Sequence, residues 1–393
     1  MNKKLLAVAV AGALAAPGVA LAQSSVTMSG VLKMSVQQYK IGNAAAARAG
    51  LNTSQGLLHD DSSAIRFNIV EDLGGGLSAI GQVDWRVTPD AGADAIGGNN
   101  HVGLRSKNWG RIFVGRQDLH YFGRESDLTI KNDLQSDSIS LLAYAGGGAT
   151  AIAYATRTSN VVHYTTPDWG GFSAIVAYSF GPNAVNAFES DINSPSRRGR
   201  AWNVAPTYEG RNFTLGYSYW SAKQDLPGAT GAVVAAAGLS AAAAVAASQP
   251  DQRGDRLFGS YRWGGFRVGL AWDKSRLKSA FGATSGTTLS RRTAWSLPIE
   301  YGWGPHWIGG HFTKARDDKA TVVQDGARMW ALGYNYSLSK RTSLGVTYAS
   351  IRNDAGAFYT PFTANSGLSG NAPHSALAGE DPRFWSMTLR HTF

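Results

Sequence analysis

The sequence predicts an all-β fold, a sixteen-stranded antiparallel transmembrane β-barrel, on three observations. Apolar residues recur at every second position over most of the chain, and short and long connections alternate from end to end. The chain also stops on "RFWSMTLRHTF", residues 383–393, where Trp385, Met387, Leu389 and Phe393 alternate with Ser386, Thr388, Arg390 and Thr392. A period of two gives a strand one dry and one wet face, whereas strands buried on both faces read as continuous apolar runs. Termini usually fray, so such a last strand needs a neighbour, and a barrel supplies one by pairing its last strand with its first, here expected at "SVTMSGVLKMS", residues 25–35. At 44% hydrophobic and 16% charged, the composition excludes disorder. The absence of cysteine excludes disulfides, thiolate nucleophiles and cysteine metal sites.

Residues 1–22, "MNKKLLAVAVAGALAAPGVALA", place Lys3 and Lys4 before an apolar run from Leu5 to Ala16 and end on Ala20, Leu21 and Ala22. That is the layout of a cleaved secretory signal peptide, and the run is too short for the ~20 residues of a spanning helix. Residues 23–393 then form the barrel, and losing two lysines takes the formal charge from +10 to +8.

The first strand alternates Val26, Met28, Leu32, Met34 and Val36 with Thr27, Ser29, Lys33, Ser35 and Gln37. Ile65, Phe67 and Ile69 repeat the pattern, as do Val83, Trp85 and Val87 and the runs beginning at Phe172, Phe213, Phe266, Trp330 and Leu344. The tight connections are "EDLGGGL", "SKNWGR", "PDWGGF", "YEGRNF", "RWGGF", "GWGPHW" and "SLSKRTS". The long ones are 40–60, 88–99, 118–158, 182–197, 224–252, 277–289, 315–325 and 353–381. A soluble sandwich also alternates, but it does not need short links at one end and long links at the other all the way round. A membrane barrel does, with its apolar face turned to lipid. Trp109, Trp169, Trp263, Trp303 and Trp307 stand beside the tight turns, where an interfacial girdle belongs. The Ala-rich stretch 231–248 is expected to be an ordered or partly helical loop insertion, because Ala and Gly drive a segment into hydrocarbon only weakly.

Taken in order, "VTMSGVLKMSV", "RFNIVEDLGGGLSAIGQVDW", "VGLRSKNWGRIFVGRQD", "NVVHYTTPDWGGFSAIVAYS" and the terminal Phe393 resemble the trimeric general-diffusion porins of Gram-negative outer membranes, in particular the β-proteobacterial branch. The resemblance covers essentially the whole mature chain. It departs at "MSG" in the first strand, where the family tends to place an aromatic before the glycine, and at the Ala-rich insertion. It implies a homotrimeric, water-filled outer-membrane channel for small hydrophilic solutes and ions, without a cofactor. The implied partners are outer-membrane lipids, lipopolysaccharide and the outer-membrane assembly machinery, with Phe393 as the assembly signal. It further implies that 118–158 folds into the lumen as a constriction loop carrying Asp118, Glu125, Asp127, Asp133 and Asp137.

Strand parity supplies the opposing wall. Lys33, Arg66, Arg86 and Arg105 face inward if Leu32 and Met34, Ile65 and Phe67, Trp85 and Val87, and Leu104 face lipid, where a charge at mid-depth costs ~2–4 kcal/mol. Arg157, at the exit of the long link, can reach the same wall. With the charge of +8, the set predicts a mildly anion-selective passage. A substrate-selective anion channel is the nearer alternative. A barrel hydrolase is the remoter one, since it needs a Ser/His or Asp/His pair at a rim. His120 lies two residues from Asp118, but no H-E-x-x-H, P-loop or G-x-S-x-G stands in context. His306 and His311 fall on opposite faces of one strand, so no metal site is expected. Basic residues alternate along strands and do not cluster in a stripe, which argues against nucleic acid. In a trimer, the link 88–99 is expected to lie against a neighbouring subunit.

Overall fold

The computed structural model describes residues 24–46, 50, 52–60, 62–120, 141–142, 157–182, 199–223, 251–280, 285–361 and 377–393. Residues 1–22, the Ala-rich 231–248 and most of 118–158, with Glu125, Asp127, Asp133 and Asp137, lie outside them. The first half holds β1 (Ser25–Gly42), β2 (Gln55–Asp60), β3 (Ala64–Gly74), β4 (Leu77–Thr88), β5 (Ala93–Ala95), β6 (Asn100–Ser106), β7 (Gly110–Gln117), β8 (Thr158–Thr165) and β9 (Phe172–Ser179). The second holds β10 (Arg200–Glu209), β11 (Phe213–Lys223), β12 (Asp251–Trp263), β13 (Phe266–Lys278), β14 (Thr288–Trp303), β15 (His306–Ala315), β16 (Ala327–Ser337), β17 (Thr342–Asn353) and β18 (Asp381–Thr392).

All pairings are antiparallel. β2 and β3 succeed one another along β1, and β5 and β6 along β4, so the segments make sixteen barrel strands, with β18 returning to β1. Two of the long links therefore carry strand of their own, at Gln55–Asp60 and Ala93–Ala95. The turn between β3 and β4 holds Gly74, Gly75 and Gly76 at φ of +82°, +61° and +79°, a region glycine enters without strain.

The closing register differs from the one the sequence predicts. β18 pairs with Val31 to Gly42 of β1, from Val31 opposite Thr392 to Gly42 opposite Asp381, instead of with residues 25–35. Closing a tilted sheet staggers its strands, and the offset sets Gly30 against the chain end. Gly30 and Phe393 exchange N–H···O bonds of 3.0 and 3.2 Å. A Cβ on Gly30 would lie 2.4 Å from the Phe393 ring, so the glycine in "MSG" makes room for the terminal aromatic. Gly30→Leu should overpack this seam at a cost of about 1–3 kcal/mol. A lower temperature for loss of the folded band in a heat-titrated gel would register it.

The outer face is apolar: Val26, Met28, Leu215, Leu270, Ile299, Leu332, Met387 and Leu389 are exposed. The inner face buries Ser35, Gln37, Asn203, Thr207, Ser296, Thr313, Asn335, Thr347 and Thr388. Apolar outside and polar inside is the inversion a membrane barrel requires. Among the described residues no helix is long and apolar enough to cross a membrane, so the crossing falls to strands. Trp109, Trp169, Trp263 and Trp303 are exposed beside the tight turns, with Trp263 stacked on Phe266 and Trp303 on His306. Trp307 does not join them. It has the inward parity of β15, is 8% exposed, and donates Nε1–H to Glu300 Oε2 at 3.2 Å. A second aromatic row, including Trp330, Tyr348 and Trp385 in contact, rings the outer end.

Candidate functional site

The inner wall of β3 and β4 is built on a carboxylate. Alternation along β4 turns Asp84 and Arg86 inward with Trp85 outward, and register sets Arg66 of β3 opposite Asp84. Asp84 is 1% exposed. Its Oδ2 accepts from Arg66 Nε at 3.1 Å and from Arg86 Nη2 at 2.9 Å, while its backbone N–H donates to Asn100 Oδ1 at 2.8 Å. A buried charge is expensive unless paired. Here it fixes two guanidinium groups side by side on one wall.

Beside them lies the root of the long link 118–158. Asp118 N–H donates to Asn99 Oδ1 at 2.8 Å, and Asn99 Nδ2 donates back to Asp118 Oδ2 at 2.9 Å. Asp118 Oδ1 then accepts from the backbone N–H of Arg157 at 3.0 Å, tying the link's two ends together. Arg116 Nε donates to the Arg157 carbonyl at 2.9 Å. Arg86 is within electrostatic reach of Arg66 and Arg157 as like charges and of Asp84 and Asp118 as opposite ones, and Arg116 of Asp118 and Arg86. Four arginines surround two aspartates.

From this root the described residues of the link cross the barrel. His120 Nδ1 is 2.8 Å from Ser218 Oγ on β11, and its Nε2 is 3.9 Å from Asp273 Oδ2 on β13. Asp273 also accepts from Arg256 Nε of β12 at 3.1 Å, with both side chains fully buried. Arg292 of β14 donates Nη2 to the carbonyls of Leu141, at 2.7 Å, and Leu142. It also donates Nη1 to Tyr359 Oη at 2.7 Å and Nε to Ser275 Oγ at 3.3 Å. Leu119, Leu141 and Leu142 are buried in an apolar cluster with Tyr39, Met329, Ile351 and Phe384. A link that leaves β7 and re-enters at β8 thus touches β11, β13 and β14 on the inner side.

Of the residues the sequence singles out, Arg66, Arg86, Asp118 and Arg157 come together. Lys33 is buried on the inner face, opposite Arg390 in register, about 13 Å along β1 from Ser29, the partner of Arg66. Arg105 pairs with Ser78, eight residues along β4 from Arg86, which is about 26 Å, and stands at the tight-turn end. Phe393 sits on the closing seam. Sequence reasoning missed Asp84, Arg116, Arg256, Asp273 and Arg292. Asp84 was legible, since it shares the parity of Arg86. Arg116 was not, because the register shifts between Gly115 and Gln117 and a bulge re-aims side chains. Among the described residues, no group of three or more His, Asp or Glu is placed to hold a metal ion.

The comparisons with known proteins agree with this architecture. The chain is 27% identical to outer membrane porin protein 32 of Delftia acidovorans, with all of both chains covered. It is 27% identical to an outer membrane porin protein of Bordetella pertussis over 88% of this chain and 92% of the relative. Among solved structures, the anion-selective porin from Comamonas acidovorans superposes with a TM-score of 0.73 at 20% identity, covering 94% of this chain and 100% of that one. A trimer form of OmpT from Vibrio cholerae superposes with a TM-score of 0.61 at 12% identity, covering 94% and 99%. At those identities the structures bear on the fold alone. The model of the Gram-negative porin family matches residues 7–356, and the chain, a closed sixteen-stranded barrel of the Gram-negative outer membrane, belongs to that family.

Proposed function

We propose that the protein is a passive trimeric pore whose arginine-rich wall favours anions. The observation that carries this reading is the cluster at the loop root, where Arg66, Arg86, Arg116 and Arg157 face Asp84 and Asp118 and leave two net positive charges. Fixed cations in a narrow passage raise the local anion concentration. At ~0.1 M salt the Debye length of ~10 Å is comparable to a pore radius, so the field fills the lumen. The acidic residues Glu125, Asp127, Asp133 and Asp137 of the same link supply the opposing side of a transverse field that orients dipolar solutes, while Asp118 belongs to the arginine wall. Lys33 extends the basic wall, and Arg105 adds a cation near the inner mouth. Ser218, His120 and Asp273 serve as a strut for the loop: the ring and the hydroxyl are buried, and Arg256 engages the carboxylate. The aliphatic outer face at Ile69, Val102, Ile112 and Val114 suits a neighbouring subunit, with the link 88–99 against it.

In planar bilayers the purified protein should open in groups of three equal steps, with a current that grows in proportion to solute concentration. Saturation by one organic anion would favour the substrate-selective alternative. A monomer on a native gel with silent bilayers would overturn the pore reading. Raising salt to ~1 M shortens the Debye length to ~3 Å, and the anion preference should shrink accordingly.

A further inference from the structure

The tight turn at 107–109 joins β6 to β7 and brings two arginines together on the inner face. Register sets Arg105 directly opposite Arg111. Their neighbours Leu104 and Ile112 are exposed on the lipid side, so alternation turns both guanidinium groups into the lumen. Cross-strand partners have Cβ atoms about 4.5–5.5 Å apart, and like charges placed so destabilise a sheet. Among the described residues no carboxylate lies within ion-pair distance of Arg105. The preceding hairpin offers Asp72 on the same face, but it stands two strands away across Ser78, at about 9–10 Å. Its Oδ1 accepts from the Gly74 N–H at 2.9 Å.

The second arginine is braced. Arg111 Nε donates to Thr165 Oγ1 of β8 at 3.2 Å, and its guanidinium carbon lies 5.6 Å from the centre of the Phe113 ring, within cation–π range. Phe113 is held in turn between His101 and His163, whose ring centroids are each 4.3 Å from its own. A Cβ on Gly103 would lie 2.4 Å from the Phe113 Cβ, so the glycine makes room for the ring on the wall of β6. Phe113 and His163 are buried, whereas Arg105 and Arg111 are exposed to the lumen. Layered rings thus hold a guanidinium at the water's edge, and groups fixed in advance lose less freedom on binding. The pair is also separate from the arginine wall. Arg111 is five residues along β7 from Arg116, roughly 17 Å, which exceeds the Debye length of ~10 Å at ~0.1 M salt.

We infer that Arg105 and Arg111 form a second anion site, at the inner mouth, for a compact doubly charged oxyanion of the sulfate or phosphate kind. One tetrahedral oxyanion between two parallel forks accepts a pair of charge-assisted hydrogen bonds from each. It also cancels both charges and so turns their repulsion into attraction. Chloride brings a single charge and no matched acceptors, so it passes without being held. The inference rests on reading the lumen as a conducting pore, and it does not need the wall at Arg66 and Arg86 to prefer anions.

The test records chloride current through the purified full-length protein in planar bilayers at ~0.1 M salt, with sulfate, phosphate at about pH 8, methylsulfate or acetate added to either side. Conductance before the addition reports on the pore itself, and a silent bilayer strikes the pore reading and this site with it. Sulfate and phosphate should reduce the chloride current saturably, more strongly from one side. Half the effect should come at about a tenfold lower concentration than the singly charged methylsulfate and acetate need. Arg105→Gln should raise the sulfate concentration for half effect about fivefold or more. Lys107→Gln removes the same charge from the turn of the same hairpin and should leave that concentration within about twofold. The pair Arg66→Gln and Arg86→Gln should lose most of the anion preference yet keep the block, which separates this site from the wall. Methylsulfate acting as well as sulfate on the wild-type pore overturns the inference without needing any variant to fold. So does an unchanged sulfate block in a conducting Arg105→Gln pore, or a block weakened as much by Lys107→Gln, since the diffuse field of the hairpin would then suffice.

Discussion

Replacing Arg66 and Arg86 together by Glu should reverse the sign of the salt-gradient reversal potential, from anion to cation preference. The loop-root cluster holds four arginines and two aspartates, so the double substitution takes its formal charge from +2 to −2. The neutral pair Arg66→Gln and Arg86→Gln brings it to zero and should abolish most of the preference without reversing it. Part of the cost appears as stability, because Asp84 is buried and loses both partners. Breaking a buried pair costs about 3–5 kcal/mol, less for Arg66, whose side chain is 32% exposed and screened by water. The surrounding sheet is closed by sixteen strands, and only a folded barrel carries current, so selectivity is read from folded protein alone. An unchanged reversal potential in both double variants would mean that selectivity resides elsewhere.

Arg292→Met should enlarge the single-channel conductance and make it noisy. Arg292 is fully buried and holds the carbonyls of Leu141 and Leu142 against β14 while its other arm holds Tyr359. Methionine fills the space but donates nothing, leaving two buried carbonyls unsatisfied at about 1–3 kcal/mol each. The long link then keeps its root at Asp118 and its contact at His120 but loses its far anchor. Arg292→Lys should behave like the methionine variant, because an ammonium lacks the fork that serves two directions at once. Both variants conducting with wild-type amplitude and noise would show that the far anchor has no part in setting the bore.

How much of this was legible in the sequence depended on which residues obey a local rule. The strands were, since each alternation is a consequence of the pleat, and so were the inward Arg66 and Arg86, flanked by large apolar neighbours that face lipid. The stagger of β18 on β1 was not, because it follows from closing the whole sheet and leaves no local mark beyond Gly30. Trp307 was misplaced beside its turn because the tight Gly304–Pro305 connection sets β15 in a parity that its first residues do not declare. Arg292 stands next to Arg291, and the sequence cannot say which of two adjacent arginines points inward. In the structure Arg292 turns inward from β14 onto the carbonyls of Leu141 and Leu142, and Arg291 turns outward.

The absence of cysteine from the chain permits the most direct test, since Arg86→Cys introduces the only thiol. In a trimer of this variant held in a salt gradient, an anionic methanethiosulfonate reagent should move the reversal potential toward cations, and a cationic one should restore the wild-type anion preference. Complete labelling by mass spectrometry with no change in current or reversal potential from either reagent would contradict the account, because Arg86 would then lie off the path that ions take.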